Sequence, residues 1–323
     1  MQFLDGEKQR QESFKLRHWP ELENDQGTSP PARTHPCLLP RGHEAKAFFP
    51  PAAAEILAYC HGKRIPIQAE ARNLTSSLVS CLNILYPLRE NPALAALVLD
   101  PALPGLSEVH RIEFLFPGAE EAGTASRGLR ADAAVWWRDA AGRRCLSLIC
   151  WKYTEASYGT CGGFRSRNNH HQAHCLQMDL GGPHPEEYCY LVREMSPSLP
   201  WDMLPETGIR FDAFRGVGGC PFRGPFYQIM REFLLAAALR RTETVDQVDV
   251  VFVGFRGNRH ITRTPVHLAS LGNDLIHAWN LALKGVPTLR YVLVEEIVAG
   301  LRRDRSGSAD NLVSYLEERY GLN

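Results

Sequence analysis

An α/β fold, a central sheet flanked by helices, is predicted by the order of the apolar segments and by two runs in particular. Strand-like stretches at 108–116, 131–138, 145–152 and 247–256 are interspersed with helical patterns, and that succession builds layered α/β domains. "GPFYQIMREFLLAAALRR" (224–241) is the clearest helix, rich in alanine and leucine with arginines at its C-terminal end. "QVDVVFVGFR" (247–256) is an almost unbroken apolar strand, the kind buried on both sheet faces. With 323 residues, 44% of them apolar, one large core is affordable.

Element by element, residues 1–48 are polar and broken by prolines ("GTSPPARTHPCLLPRG"), which predicts an extended or poorly ordered N-terminal arm. Residues 49–323 then form a single domain with elaborations. "PAAAEILAYC" (51–60) reads as a helix with proline in its first turn. "ARNLTSSLVSCLNILYPL" (71–88) has helical spacing, with Asn73, Thr75 and Ser76 as candidate caps and Pro87 as the stop. Strands 131–138 and 145–152 follow the charged loop "PGAEEAGTASRG". The stretch 153–186 has weak periodicity, and "EYCYLV" (187–192) is expected as a strand. "PVHLASLGNDLIHAWNLALKG" (265–285) is predicted as one helix ending at Gly285, and "LRYVLVEEI" (289–297) as a strand or helix start. "SADNLVSYLEERYG" (308–321) closes the chain as a helix.

Formal net charge is zero, which argues against a broadly basic nucleic-acid binder and leaves room for a local basic groove. No apolar run of membrane-spanning length occurs. The charged opening "MQFLDGEKQRQESFKLRHW" lacks the apolar core of a signal peptide. Nine cysteines, an odd number without a dense framework, fit a reducing, cytoplasmic setting.

If strands 131–138 and 145–152 form a hairpin, Asp132 and Lys152 fall at the same end of the sheet. Alternation then puts Cys150 and Lys152 on one face and Trp151 on the other. Glu113, late in the preceding strand, is placed to join them. A carboxylate pair holding Mg²⁺ beside a lysine is a workable site for phosphodiester hydrolysis. A plain strand-end ion pair is the competing explanation.

The run "RADAAV…LSLICWKYTEASY" resembles the core of the PD-(D/E)XK nuclease superfamily, and more closely a bacterial family that reads roughly "DA-V…EWKYTESY". "LTSSLVSCLNILYPL" is similar to that family's upstream helix and "CPFRGPFYQIMREFLLAAAL" to its downstream helix, so the resemblance covers about 70–255. It implies a restriction-endonuclease-like mixed sheet and metal-dependent hydrolysis of DNA. Asp132 would bind the metal, Lys152 would be the catalytic lysine, and Glu113 and Gln228 would assist. Mg²⁺ or Mn²⁺ would be the cofactor and DNA the partner, a homodimer being a further expectation for this chain.

Cys150 stands where that family carries its second metal-binding glutamate. Three explanations stay open. The protein is a degenerate nuclease that binds nucleic acid or a protein partner without cutting; or Glu113 or Glu155 supplies the acid; or a thiolate recruits a softer ion.

"CGGFRSRNNHHQAHC" (161–175) offers Cys161, His170, His174 and Cys175 as ligands for a structural zinc. Otherwise it is a polar loop whose Arg165 and Arg167 meet phosphates. Arg127 and Arg130 before Asp132, and Arg256 and Arg259 in "RGNRHITR", are further candidate backbone contacts. "GVGGCPFRGP" (216–225) lacks the Gly-Lys-Ser/Thr ending of a phosphate loop.

Overall fold

The computed structural model describes residues 2–23, 28–29, 33–34, 36–65, 71–117, 129–178, 189–191, 201–242, 244–285 and 288–323. Its centre is a five-stranded mixed sheet. The strands are β1 (Leu106–Phe116), β2 (Ala131–Asp139), β3 (Arg144–Trp151), β4 (Gln247–Gly254) and β5 (Leu289–Leu293), lying side by side in chain order. β1–β2 and β2–β3 pair antiparallel, while β3–β4 and β4–β5 pair parallel. The antiparallel half is an edge meander, and the parallel half needs crossovers.

The helices are α1 (Gln2–His18), α2 (Ala53–Gly62), α3 (Ser77–Leu85), α4 (Pro92–Leu99), α5 (Phe226–Arg240), α6 (Leu275–Leu281), α7 (Val294–Arg302) and α8 (Asp310–Tyr320). Period-two alternation along β3 divides the core. Cys145, Ile149 and Trp151 pack with α2, α3, α4, α7 and α8; Leu146, Leu148 and Cys150 pack with α5 and α6. Each face of the sheet is therefore covered, as an almost wholly apolar β4 requires. Trp151, fully buried, donates its indole N–H to Ser80 Oγ on α3 at 2.8 Å. Trp137 does the same to Ser147 at 2.9 Å. These two tryptophans are core anchors.

The expected N-terminal arm is instead a helix over 2–18. Glu7, Gln11, Phe14 and Lys15 are buried on one face of α1 at helical spacing. Most of that face is polar, so hydrophobic periodicity does not reveal it. Gln11 Nε2 reaches Tyr153 Oη and the Arg319 carbonyl, both at 3.0 Å, and Tyr153 Oη donates to Glu7 at 2.5 Å. Further on, residues 37–39 and 47–49 are also buried. The helix expected over 265–285 is broken: a 3₁₀ turn (Val266–Leu271) ends at Gly272, whose φ of 109° only glycine tolerates, before α6 begins. Residues 189–191 of the expected strand 187–192 are not extended; the remainder lies outside the described residues.

Candidate functional site

The sheet's two halves bring one set of strand ends together. β1 ends, β2 begins, and β3 and β4 end at the same edge, so Asp132 and Lys152 meet there. The β2–β3 register pairs Ala133 with Ile149, which sets Asp132 across from Cys150. Asp132 Oδ2 accepts the backbone N–H of Trp151 at 2.7 Å. Lys152 continues the parallel pairing through its N–H to the Val253 carbonyl at 2.9 Å.

The entry to β2 is bent. Phe114 and Ala133 belong to one core face, Phe116 and Ala131 to the other, so the pleat turns over between them. Leu115, with φ of 45°, stands at that point, opposite Asp132. A left-handed leucine is strained, and it marks where the pleat turns over.

α5 packs on the Cys150 face and contributes two polar residues one turn apart, Gln228 and Glu232. In the orientation that satisfies both ends of its amide, Gln228 accepts from Lys152 Nζ at 3.2 Å and donates to the Tyr158 carbonyl at 2.5 Å. The opposite orientation donates to Cys150 Sγ at 3.2 Å. Glu232 is 4% exposed and its Oε2 has no hydrogen-bond partner. Nothing in the sequence pattern singles it out, since it sits in a helix of core residues; only its four-residue offset from Gln228 points inward.

Burial pushes the Asp132 carboxyl up, against the pull of Lys152 and the Trp151 N–H. The Cys150 thiol is pushed well up by burial, with Lys152 opposing, so it is a neutral thiol at pH 7. Burial and the charge of Asp132 push Glu232 up to about 8. For Lys152, burial opposes the charge, but the carboxylates of Asp132 and Glu155 pull the other way and keep the ammonium protonated. The cluster is thus one carboxylate, one ammonium, one thiol and one neutral acid.

Such a set does not fit Mg²⁺ or Mn²⁺ as it stands. Hard cations want several oxygen ligands, and here a neutral thiol faces the one ionised carboxylate. Among the described residues, no three His, Cys, Asp or Glu side chains are gathered closely enough to hold a metal.

Glu113 pairs with Arg111 at 3.4 Å, and the groups acting most on Asp132 are Lys152, Trp151, Glu155 and Cys150. Glu155 is also engaged elsewhere: it accepts from Ser77 Oγ at the start of α3 (2.5 Å) and from the Tyr153 N–H (2.9 Å). That is a helix-start carboxylate, favourable by charge and hydrogen bonding.

Of the arginines, Arg130, Arg165, Arg167, Arg256 and Arg259 are exposed, Arg130 lining a cleft, and Arg127 falls outside the described residues. In "RGNRHITR" the structural residue is buried Asn258, whose amide ties down the Tyr153 and Glu155 carbonyls at 3.0 and 2.8 Å. Of the proposed zinc ligands, Cys161 and Cys175 stay near one another, while His170 is exposed and His174 stacks on His171. That cleft, of ≈ 290 Å³ between the end of α2 and β1, is lined by Lys63, Arg64, Arg111 and Arg130, with Glu113 as its acid. Arg64 (φ 53°) and Leu115, the two non-glycine residues with positive φ among those described, both line it.

Fold and site together define an α/β protein with a mixed sheet and a polar cluster, centred on Asp132 and Lys152, at its strand ends. The sequence profile of the family described as "Restriction Endonuclease associating with ARP" (REase-ARP) matches residues 17–321, and the chain belongs to that family. No curated protein and no solved structure matches it. α1 lies almost wholly ahead of the matched region. Among the described residues, no helix is long and apolar enough to cross a membrane.

Proposed function

We propose that this chain is a nuclease-like protein of the PD-(D/E)XK type that binds DNA and whose hydrolytic site is silenced by Cys150. The observation that carries this reading is the neutral thiol lying across from Asp132, in a cluster that otherwise has the carboxylate, the lysine and the helix glutamine. Lys152 remains charged and is positioned to meet a non-bridging phosphate oxygen. The cluster lacks a second ionised carboxylate, so no cation is held to polarise the phosphate or ionise a water.

DNA would enter through the basic cleft. Lys63, Arg64 and Arg130 line it and have no ion-pair partner among the described residues, and Leu115 on its wall stands opposite Asp132 in the strand register. Phosphate contacts of this kind give salt-dependent binding, with a slope of about one per neutralised phosphate. Arg64→Gly removes a cation and relieves the left-handed backbone at once. We expect it to weaken DNA binding several-fold and flatten the salt slope by about one while the fold is kept.

Glu232 supports a second reading. Ionised and turned toward Asp132, it would restore a carboxylate pair and an active enzyme. Cleavage of labelled single- and double-stranded DNA with Mg²⁺ or Mn²⁺ separates the two. The silenced reading expects no cutting by the native protein, cutting by Cys150→Glu or Cys150→Asp, and loss again when Lys152→Ala is added. Native cleavage that disappears in Lys152→Ala and in Glu232→Gln would replace it with the active reading.

A further inference from the structure

In the connection from Trp151 to Gln247, the elements ahead of α5 among the described residues are only short helices: α-helical at Gly162–Arg165 and Gln172–Gln177, 3₁₀ at Trp201–Thr207, Phe211–Phe214 and Pro221–Arg223. Short helices joined by loops hold one another in place weakly, and a bound ion is one way to fasten them.

Four cysteines of that connection, far apart in sequence, converge. The Cys220 N–H donates to the Cys175 carbonyl at 2.8 Å, and the Cys161 N–H donates to the Arg223 carbonyl at 3.3 Å. Gly163 lies against Leu191 and Tyr190, so the turn after Cys161 abuts the residues after Cys189. Cys220 is within electrostatic reach of Cys161, Cys175 and Cys189; Cys161 is within reach of Cys175 and Cys189; and Cys175 is within reach of Cys189. The backbone contacts thus bring the four cysteines into one neighbourhood. The other cysteines, at 37, 60, 81, 145 and 150, are not in this group.

We propose that Cys161, Cys175, Cys189 and Cys220 hold one structural zinc ion. Tetrahedral Cys₄ coordination is a standard closed zinc site. Two of the four thiols already have the surroundings of a zinc ligand. Backbone N–H groups of Gly163 and Phe164 point to the Cys161 sulfur, and that of Phe222 to the Cys220 sulfur. Amide donors aimed at ligand sulfur offset the two negative charges that a Cys₄ zinc centre carries. Arg223, donating to the Cys175 carbonyl at 3.3 Å, adds a cation at the rim. As placed here the thiols have not closed on a single point. The ion draws them in, fastening the loop against the start of α5.

The proposal is independent of nuclease activity. It also changes the ligand set expected from "CGGFRSRNNHHQAHC": Cys161 and Cys175 stay, and Cys189 and Cys220 replace His170 and His174. The test is zinc content of the full-length protein, purified without chelator, by elemental analysis, with a free-thiol count. We expect one zinc per chain, falling to near zero in Cys220→Ser and Cys161→Ser and unchanged in Cys60→Ser and in His170→Ala/His174→Ala. Should the cysteine variants fail to fold, the native protein refolded with Co²⁺ supplies the readout, the visible ligand-field bands of tetrahedral thiolate cobalt. Zinc absent from the native protein with no cobalt bands, disulfides among these four residues, or zinc lost in the double histidine variant would each overturn it.

Discussion

β2 carries an aspartate near each end, and the two are treated in opposite ways. Asp139 closes the β2–β3 turn. It accepts from the Ala141 and Arg143 N–H groups at 2.9 and 2.8 Å and from Arg143 Nε at 2.6 Å. Burial raises its pKa, but the hydrogen bonds and charge of Arg143 outweigh it, and the carboxyl is held below its usual range. Asp132 has one backbone donor, a thiol and a lysine, and burial keeps its carboxyl above the usual range. A carboxylate that only holds a turn is saturated with donors. One left short of donors in a desolvated place has unused capacity for a ligand.

The largest effect should come from separating Asp132 from its cation. Lys152→Met leaves a buried, unpaired carboxylate and should cost about 4 kcal/mol at pH 8. The cost should shrink toward pH 4, as Asp132 takes up a proton; urea unfolding at the two pH values checks this. Adding Asp132→Asn to that variant should recover much of the loss. A loss that is the same at both pH values would mean that Asp132 is not the lysine's working partner.

Glu232 gives the next effect, with the opposite sign. Its native pKa lies above its unfolded one, so the folded state binds the extra proton between about 4.5 and about 8. Stability therefore falls as pH rises through that window. Glu232→Gln should remove this fall and be more stable than the native protein by roughly 3 kcal/mol at pH 8, with little difference at pH 4.5. Ser80→Ala, which orphans the Trp151 indole N–H, should cost about 1.5 kcal/mol at every pH.

Asp139→Asn should give the smallest change, a modest drop in Tm. Because the native pKa is depressed, the stabilisation is present above the unfolded value near 3.8 and is lost as pH falls through the native one. The native and variant proteins should then converge in acid, the mirror image of the behaviour at Glu232.

Much of this was readable in the sequence wherever one residue type faces one environment. The hairpin, the shared end of Asp132 and Lys152, and the opposed faces of Cys150 and Trp151 follow from alternation alone. The Ser76 cap was readable too: it accepts the Val79 N–H at 3.4 Å. What was hidden depends on partners distant in the chain. α1 buries Glu7 and Gln11 because Tyr153 and Arg319 lie opposite, and no periodicity of apolar residues records that. Glu113, late in β1, ion-pairs with Arg111 on the same strand, a contact that its position in the sequence pattern does not foretell. Gly272 splits one expected helix in two through a backbone angle that the spacing of apolar residues does not encode. Cys189 and Cys220 lay outside the run searched for zinc ligands and join it only through the fold.

The account of the strand-end cluster turns on Cys150, and calorimetric titration with Mn²⁺ addresses it without depending on the choice of DNA. The native protein should take up no Mn²⁺ at the cluster, whereas Cys150→Glu should gain a site that Asp132→Asn abolishes. Uptake by the native protein that is lost in Asp132→Asn would contradict the account, since the cluster would then hold its cation with the cysteine in place.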